Sequence, residues 1–370
     1  MNGSLLTYND KIYIVGAQSR AKTLTGYLSF LYPKIAIEAY LVDDLSQNDS
    51  SIQGVRVYEL RESSPLDLKL PVFIATKGIY HVGIEEQLKQ IGFHTVIPVT
   101  VDVDNWLRNA YVEKCFETAN RSFIKLENMQ LSDSNRQSAV DLKACIYMAK
   151  SIYDKPLQSS YRSPFYERAI QVGAALTDDR LELGILTDSD GDNISSKNRQ
   201  YCELTALYWI WRHAAEDVIG LSHYRRHFIL PDYWLEIMAC NNIDVVLPVP
   251  TYVASSIDGN YRERHDPSDW GYLLEYLKDN LSEDYEIAKT VFSGNLYSPC
   301  NMFIMRRDIL NELCTWMFPI LDAVVEHGGE KEDTYLNRYP GFISERLITL
   351  FFYKNRDKYK IAYADRSFTS

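Results

Sequence analysis

The sequence predicts an α/β protein of two domains: a parallel, doubly wound sheet first, then a second α/β domain that carries the chemistry. Three observations predict it. Short apolar segments alternate with segments of helical period along residues 11–104. A polar stretch without periodicity, 132–138, separates them from a fresh strand at 143–149. The 370 residues, 46% of them hydrophobic, suffice for two cores.

In the first part, strands are expected at 11–16, 35–42, 55–58, 72–75 and 94–99, with helices at 22–32 and 84–91. The turn after the first strand offers only Gly16 where a dinucleotide-binding turn wants three glycines. Asp43 closes the second strand as a ribose ligand would. The reading is a Rossmann-like domain without a dinucleotide. Asp102-Val103-Asp104 is a DxD that leads into a helix at 105–128, where carboxylates suit the positive end of the helix dipole. The expected divisions are a Rossmann-like domain at 1–104, a connecting helix and polar linker at 105–140, and the second domain at 141–370.

The second domain opens with the strand at 143–149. Residues 161–165 form a loop, and 170–175 are small residues that permit close backbone approach. Asp188, Asp190 and Asp192 have the spacing of a calcium loop. Asn193 and Arg199 stand where that loop needs Gly and Glu, so calcium is rejected and 190–193 is read as a turn. Asn198 is expected to cap a helix bearing Tyr201, Leu204, Leu207, Tyr208 and Trp211, with Glu203 in its early turns.

A buried strand at 217–221 follows, with His223-Tyr224-Arg225-Arg226-His227-Phe228 at its carboxyl end, where open α/β sheets bind ligands. Guanidinium forks match phosphate oxygens, so this stretch reads as an anion pocket. The alternative is that Arg225 and Arg226 pair with surplus carboxylates of an acidic protein. Asp192 and Asn193 reach the same ligand or only satisfy their turn. Glu203 orients His223 or an arginine, or only favours the helix start.

Beyond it come a strand at 242–248, a long polar loop at 252–269 containing Asp266 and Asp269, helices at 270–280 and 284–291, and a strand at 298–305 that includes Asn301. A helix at 308–325, a further helix capped by Ser344 with Glu345 in its first turn, and a strand at 359–363 complete the chain.

The net charge of −11 argues against non-specific nucleic-acid binding. The 27 tyrosines and 6 tryptophans suit sugar or base stacking, and equally an aromatic core. None of the six cysteines has CxxC spacing. Without a leader-like start or a membrane-length apolar run, a cytoplasmic protein with reduced thiols is expected.

Five motifs carry a resemblance: IQVGAAL (170–176), GDNISSKNRQYCELTALYWIW (191–211), GLSHYRRHF (220–228), CNMFIMRRDIL (300–310) and FISERL (342–347). Through them residues 141–363 resemble a bacterial family of capsular polysaccharide synthesis proteins. Its members look like GT-A-type glycosyltransferases and include β-galactofuranosyltransferases of O-antigen assembly. The resemblance implies a GT-A-like domain, a UDP-sugar donor bound near the first strand, and inverting transfer to a cell-surface polysaccharide or lipid-linked glycan acceptor. The donor residues would be Lys150, Asp192, Asn193, Glu203, His223, Tyr224, Arg225, Arg226 and Asn301. Lys150-Ser151 departs from the Thr-His-Lys-like end expected of the first strand.

GT-A folds usually end a strand in a metal-holding DxD. The corresponding strand here ends in His-Tyr-Arg-Arg, so no metal cofactor is expected, positive side chains taking its place. The resemblance places the catalytic base at Glu345, with Asp266 or Asp269 as the alternative. It also fits a cytoplasmic location with peripheral contact at the inner membrane face, and no nucleic-acid partner. Two other readings stand beside it: a non-catalytic nucleotide-sugar-binding scaffold of a polysaccharide assembly complex, and an NAD-linked enzyme using the first domain.

Overall fold

The computed structural model describes residues 11–60, 66–131, 142–157 and 161–368. The expected linker at 132–138 and the boundary at 140–141 lie outside them. The chain divides into two compact units, one of residues 1–122 with 252–254, the other of 123–251 with 255–370.

In the first unit, strands β1 (Lys11–Val15), β2 (Ala36–Val42), β3 (Ser51–Ile52), β4 (Val55–Glu59), β5 (Val72–Ile74) and β6 (Val96–Pro98) form one sheet in the order β3-β4-β2-β1-β5-β6. Every pairing but β3 with β4 is parallel. Helices α1 (Ser19–Leu31), α2 (His81–Ile91) and α3 (Val101–Thr118) accompany it. Alternation of buried strand and amphipathic helix produces this layering, because strands joined in parallel need a crossover. Gly16 has φ +110°, and a Cβ there would lie 3.0 Å from the Ala75 carbonyl oxygen, so the turn requires glycine. The helix expected at 105–128 begins earlier and ends earlier: the Thr100 hydroxyl accepts from Val103 N, and Asp102 and Asp104 lie in the first turn. All of α3 belongs to this first unit rather than to a connecting segment. Asp43 stands exposed just after β2.

The second unit holds strands β7 (Ala144–Lys150), β8 (Glu167–Gln171), β9 (Leu186–Thr187), β10 (Val218–His223), β11 (Arg226–Ile229) and β12 (Val245–Pro248). The two-residue strands β13 (Thr251–Tyr252) and β14 (Leu296–Tyr297) come next in the chain, then β15 (Phe303–Arg306) and β16 (Ile361–Phe368). The main sheet runs β11-β16-β12-β15-β10-β7-β8-β9. β7, β8, β9 and β10 are mutually parallel, while β15 is antiparallel to both β10 and β12. The carboxyl ends of the four parallel strands therefore share one edge with the amino end of β15. Lys150, the residues after Gln171 and Thr187, His223 and the Cys300–Asn301 turn all arrive there.

Helices α4 (Asn198–Tyr201), α5 (Leu204–His213), α6 (Trp234–Cys240), α7 (Ile257–Arg264), α8 (Pro267–Asn280), α9 (Ser282–Ser293), α10 (Arg307–Gly328) and α11 (Tyr339–Lys354) surround the sheet. α10 buries Ile309, Leu310, Leu313, Met317, Ile320, Leu321 and Val324, each worth about 1.5–3 kcal/mol on burial. A core of Ile146, Val218, Trp234, Ile237, Val246 and Ile304 covers strands β7, β10, β12 and β15 together with α6.

Five expectations are corrected. The single helix from Asn198 is two: it breaks at Cys202, φ 50° and ψ −128°, and resumes at Leu204. Asn198 does not cap it, because its Nδ2 donates instead to Cys202 O and to Thr205 Oγ1. The polar loop at 252–269 contains α7, capped by the Ser256 hydroxyl. The strand at 298–305 starts only at Phe303, because Cys300 and Asn301 have φ 69° and 50°. The last helix begins at Tyr339, with Pro340 in its first turn, so Ser344 and Glu345 lie in its second turn.

Asp188, directly after β9, is fully buried. Its carboxylate accepts from Gly173 N (2.9 Å), Ala174 N (3.1 Å), Ser195 Oγ (2.5 Å) and Thr205 Oγ1 (2.6 Å). It thus ties the ends of β8 and β9 to α5. A buried anion is expensive unless saturated with donors, and here it is. Asp188→Ala should lower the unfolding free energy by about 3 kcal/mol or more in a denaturant titration, since four donors lose a charged partner; a loss under about 1 kcal/mol would contradict this role.

Candidate functional site

The carboxyl edge of the second unit's sheet gathers most of the residues expected there. His223 pairs with Arg226 across a tight hairpin, so Tyr224 and Arg225 are its two turn residues rather than part of a loop. Arg225 lies beside the Tyr224 ring, 5.2 Å from its centroid, and Arg226 lies 5.8 Å from the Phe368 ring. Among the described residues neither guanidinium makes an ion pair or a side-chain hydrogen bond, and Arg225 Nε is buried without a partner. The expectation that they pair with surplus carboxylates is therefore not met.

The hairpin is fixed from below. Glu167, on β8, accepts from His227 Nδ1 at 3.0 Å and Ser222 Oγ at 3.2 Å through one oxygen, and from Tyr161 OH at 2.6 Å through the other. His227 Nε2 lies 3.2 Å from the Tyr224 carbonyl oxygen, and the Tyr161 ring stacks on the imidazole at 3.6 Å.

The Cys300–Asn301 turn is braced through the Cys300 backbone and the Asn301 side chain. His223 Nε2 donates to Cys300 O at 2.5 Å, and Cys300 N donates to Glu345 Oε1 at 2.5 Å. Asn301 Nδ2 donates to Glu203 Oε1 at 2.7 Å, and Ser344 Oγ lies 2.8 Å from Asn301 Oδ1. The other oxygen of Glu345 accepts from Arg346 Nη1 at 2.6 Å. Burial pushes the Glu345 carboxyl up, opposed by Arg346 and the Cys300 N–H. Burial pushes the His223 imidazole down, opposed by Glu203, with Arg226 adding to the depression. His223 is thus neutral, its proton on Nε2, leaving Nδ1 as an acceptor.

Lys150 ends β7 on the same edge. It and Arg225 act electrostatically on Asp154, whose carboxyl burial raises and which accepts from Ser151 N at 2.7 Å. Asp154 was missed by sequence reasoning. Nothing in the local pattern marks it, because only the fold brings it beside His223.

Other expected residues lie elsewhere. Asn193 spends its side chain on the turn, Nδ2 to Ser189 O and Gly191 O, and Oδ1 from Ser195 N. Asp192 pairs with Arg212 at 2.7 Å and accepts from Tyr208 OH. Both belong to the packing of the turn against α5. Asp266 caps α8, and both it and the buried Asp269 are held by Lys331 Nζ, at 2.7 Å and 2.6 Å. Lys331 holds the Asp266 carboxyl down at about 2, whereas burial raises that of Asp269. Among the described residues no group of three or more His, Cys, Asp or Glu is placed to hold a metal ion.

A protein-family model described as a domain of unknown function, DUF4422, matches residues 151–356, more than half of the chain. The chain belongs to the DUF4422 family. All of the edge just described except Lys150 falls within the matched residues. No curated protein matches. Among solved structures, the apo form of WbbM, a bifunctional glycosyltransferase, is similar at a TM-score of 0.54 and 27% identity over 62% of this chain. The match takes in 45% of that chain, so this protein spans less than half the length of the relative it resembles. The mixed α/β architecture is consistent with a glycosyltransferase fold. No helix among the described residues is long and apolar enough to cross a membrane.

His265, between α7 and α8, stacks on Phe342 of α11 at 4.1 Å. Burial, reinforced by Arg346 and Arg264, lowers its imidazole from 6.5 to about 3. Between those values the unfolded chain binds a proton that the folded chain does not, so stability falls as pH drops through the window. Unfolding free energy should decline from pH 6.5 toward 3, and His265→Phe should flatten part of that decline. An identical pH dependence in the variant would contradict it.

Proposed function

We propose that the DUF4422 unit is a GT-A-like glycosyltransferase. It moves a sugar from a UDP-sugar, with galactofuranose the favoured choice, to a cell-surface polysaccharide or lipid-linked glycan. The observation that carries the reading is the pair Arg225 and Arg226, which make no ion pair among the described residues and stand at the carboxyl edge of a parallel sheet in a chain of net charge −11. An acidic protein has carboxylates to spare for any surface arginine. Two that form no ion pair among the described residues fit a ligand that brings its own charge, and a diphosphate suits their forks. The similarity to a bifunctional glycosyltransferase supports the same reading.

In this mechanism Arg225, Arg226 and Lys150 take up the charge that grows on the departing UDP, the role a metal plays elsewhere. The acceptor oxygen attacks the anomeric carbon as the bond to the diphosphate breaks, with inversion. Glu345 receives the acceptor's proton. Each of its oxygens accepts one hydrogen bond and keeps a second lone pair. Burial lifts its basicity toward the working pH, which a general base requires. Asp266 is a poorer base, because Lys331 holds its carboxyl down. Glu203 and Asn301 fix the turn that presents Glu345. The sheet edge works at the cytoplasmic face of the membrane that carries a lipid-linked acceptor.

One assay tests the roles together: UDP release from a panel of UDP-sugars, with donor affinity measured in parallel. Arg225→Ala and Arg226→Ala should each weaken donor binding about tenfold or more, the loss of charge-assisted bonds. Glu345→Gln should bind donor within a few-fold while transfer falls by about 10²–10⁴. Activity should survive a chelator. Donor binding without any transfer by the unsubstituted protein would favour the scaffold reading, and unchanged binding in both arginine variants would remove the pocket.

A further inference from the structure

The side chains around Glu345 carry more than a base. We infer that Tyr335, Phe342 and Arg338 form the binding surface for a neutral acceptor sugar, an inference that rests on the transferase reading of the same site.

Phe342 precedes Glu345 by three residues on α11, a spacing that a helix stacks on one face, and Arg338 lies immediately before the helix. The Phe342 ring lies 4.1 Å from His265 and 5.1 Å from Tyr335, and Tyr335 in turn stacks on His265 at 5.7 Å and 24°. His265 is buried, whereas Tyr335 is 46% exposed. The rings thus make a layer with a covered side and an open side, next to the carboxylate assigned as base. An aromatic ring left open in this way offers its π face to the C–H face of a sugar, an apolar contact with a polar rim.

Hydroxyls at that rim need donors, and Arg338 supplies them. It is exposed, 5.8 Å from the Phe342 ring, and commits only Nε, to Cys202 Sγ at 3.0 Å. Its Nη atoms have no partner among the described residues. Cys202 and Glu203 act on it electrostatically. The imidazole beneath the layer is neutral, since burial holds it well below the ordinary range. An uncharged ring face with a hydrogen-bond donor at its rim suits a neutral saccharide. The structural alternative is that Tyr335 only seals the His265 stack, in which case its substitution would change stability and nothing else.

The test is saturation-transfer NMR with methyl β-D-galactofuranoside and methyl β-D-galactopyranoside as probes, on the full chain, with UDP affinity measured calorimetrically on the same samples. The unsubstituted protein should transfer saturation to the sugar C–H protons. Tyr335→Ala and Arg338→Gln should each weaken sugar binding about 3- to 10-fold while UDP affinity stays unchanged. Tyr335→Phe, which keeps the ring, should restore binding. Sugar binding that both variants leave intact overturns the inference, as does failure of the unsubstituted protein to bind either glycoside. If sugar binding depends on Tyr335 but UDP does not bind at all, the surface stands and the transferase reading falls. If UDP binds and the sugar does not, the reverse holds.

Discussion

Two consecutive left-handed residues, Cys300 and Asn301, are the constraint on which the proposed site depends. A non-glycine residue there costs about 1–3 kcal/mol and persists only when its surroundings over-determine it. They do: the Cys300 carbonyl accepts from His223 Nε2, the Cys300 amide donates to Glu345, and the Asn301 amide donates to Glu203. Two of the three partners are carboxylates. The strained turn is therefore the point at which β10, α5 and α11 are held in register. A chain that relaxed it would release His223, Glu203 and Glu345 from one another at once.

The second force is electrostatic and operates by omission. Elsewhere the surplus of acid is used freely: Arg212 finds Asp192, Arg262 finds Asp258, and Lys331 binds two aspartates. The exposed Arg212 and Arg262 pairs are each worth only about 0–1 kcal/mol, so leaving two arginines out costs the fold little. It matters for binding, where an unpaired guanidinium yields the full charge-assisted bond to an incoming anion. The Tyr224–Arg225 turn is meanwhile held rigid by the buried Glu167–His227 pair, so the cations are positioned before a ligand arrives.

Much of this was legible in the sequence. Periodicity gave the strands of the first unit, since buried strands and amphipathic helices write themselves into local pattern. The stretch from His223 to Arg226 stood out by composition at a strand end, and Glu203, Asn301 and Glu345 were marked beside it. Local pattern failed where tertiary contact decides. Asn198 looks like a cap, yet its amide is drawn to Thr205 and Cys202, and the helix breaks instead. Asp188 resembled a failed calcium ligand, although its four donors come from the turn after β8, from Ser195 and from α5. Asp154 carries no signal at all. Residues 298–302 read as strand because their left-handed turn is imposed by Glu345 and His223, which lie 45 and 77 residues away from Cys300.

The central claim is that the Arg225–Arg226 pair receives a diphosphate. A calorimetric titration of UDP against uridine, at low and high salt, tests it most directly. The account predicts that UDP binds at least about tenfold more tightly than uridine, the contribution of charge-assisted bonds, and that this advantage shrinks as salt screens the site. Equal affinity for UDP and uridine, unaffected by salt, would contradict it.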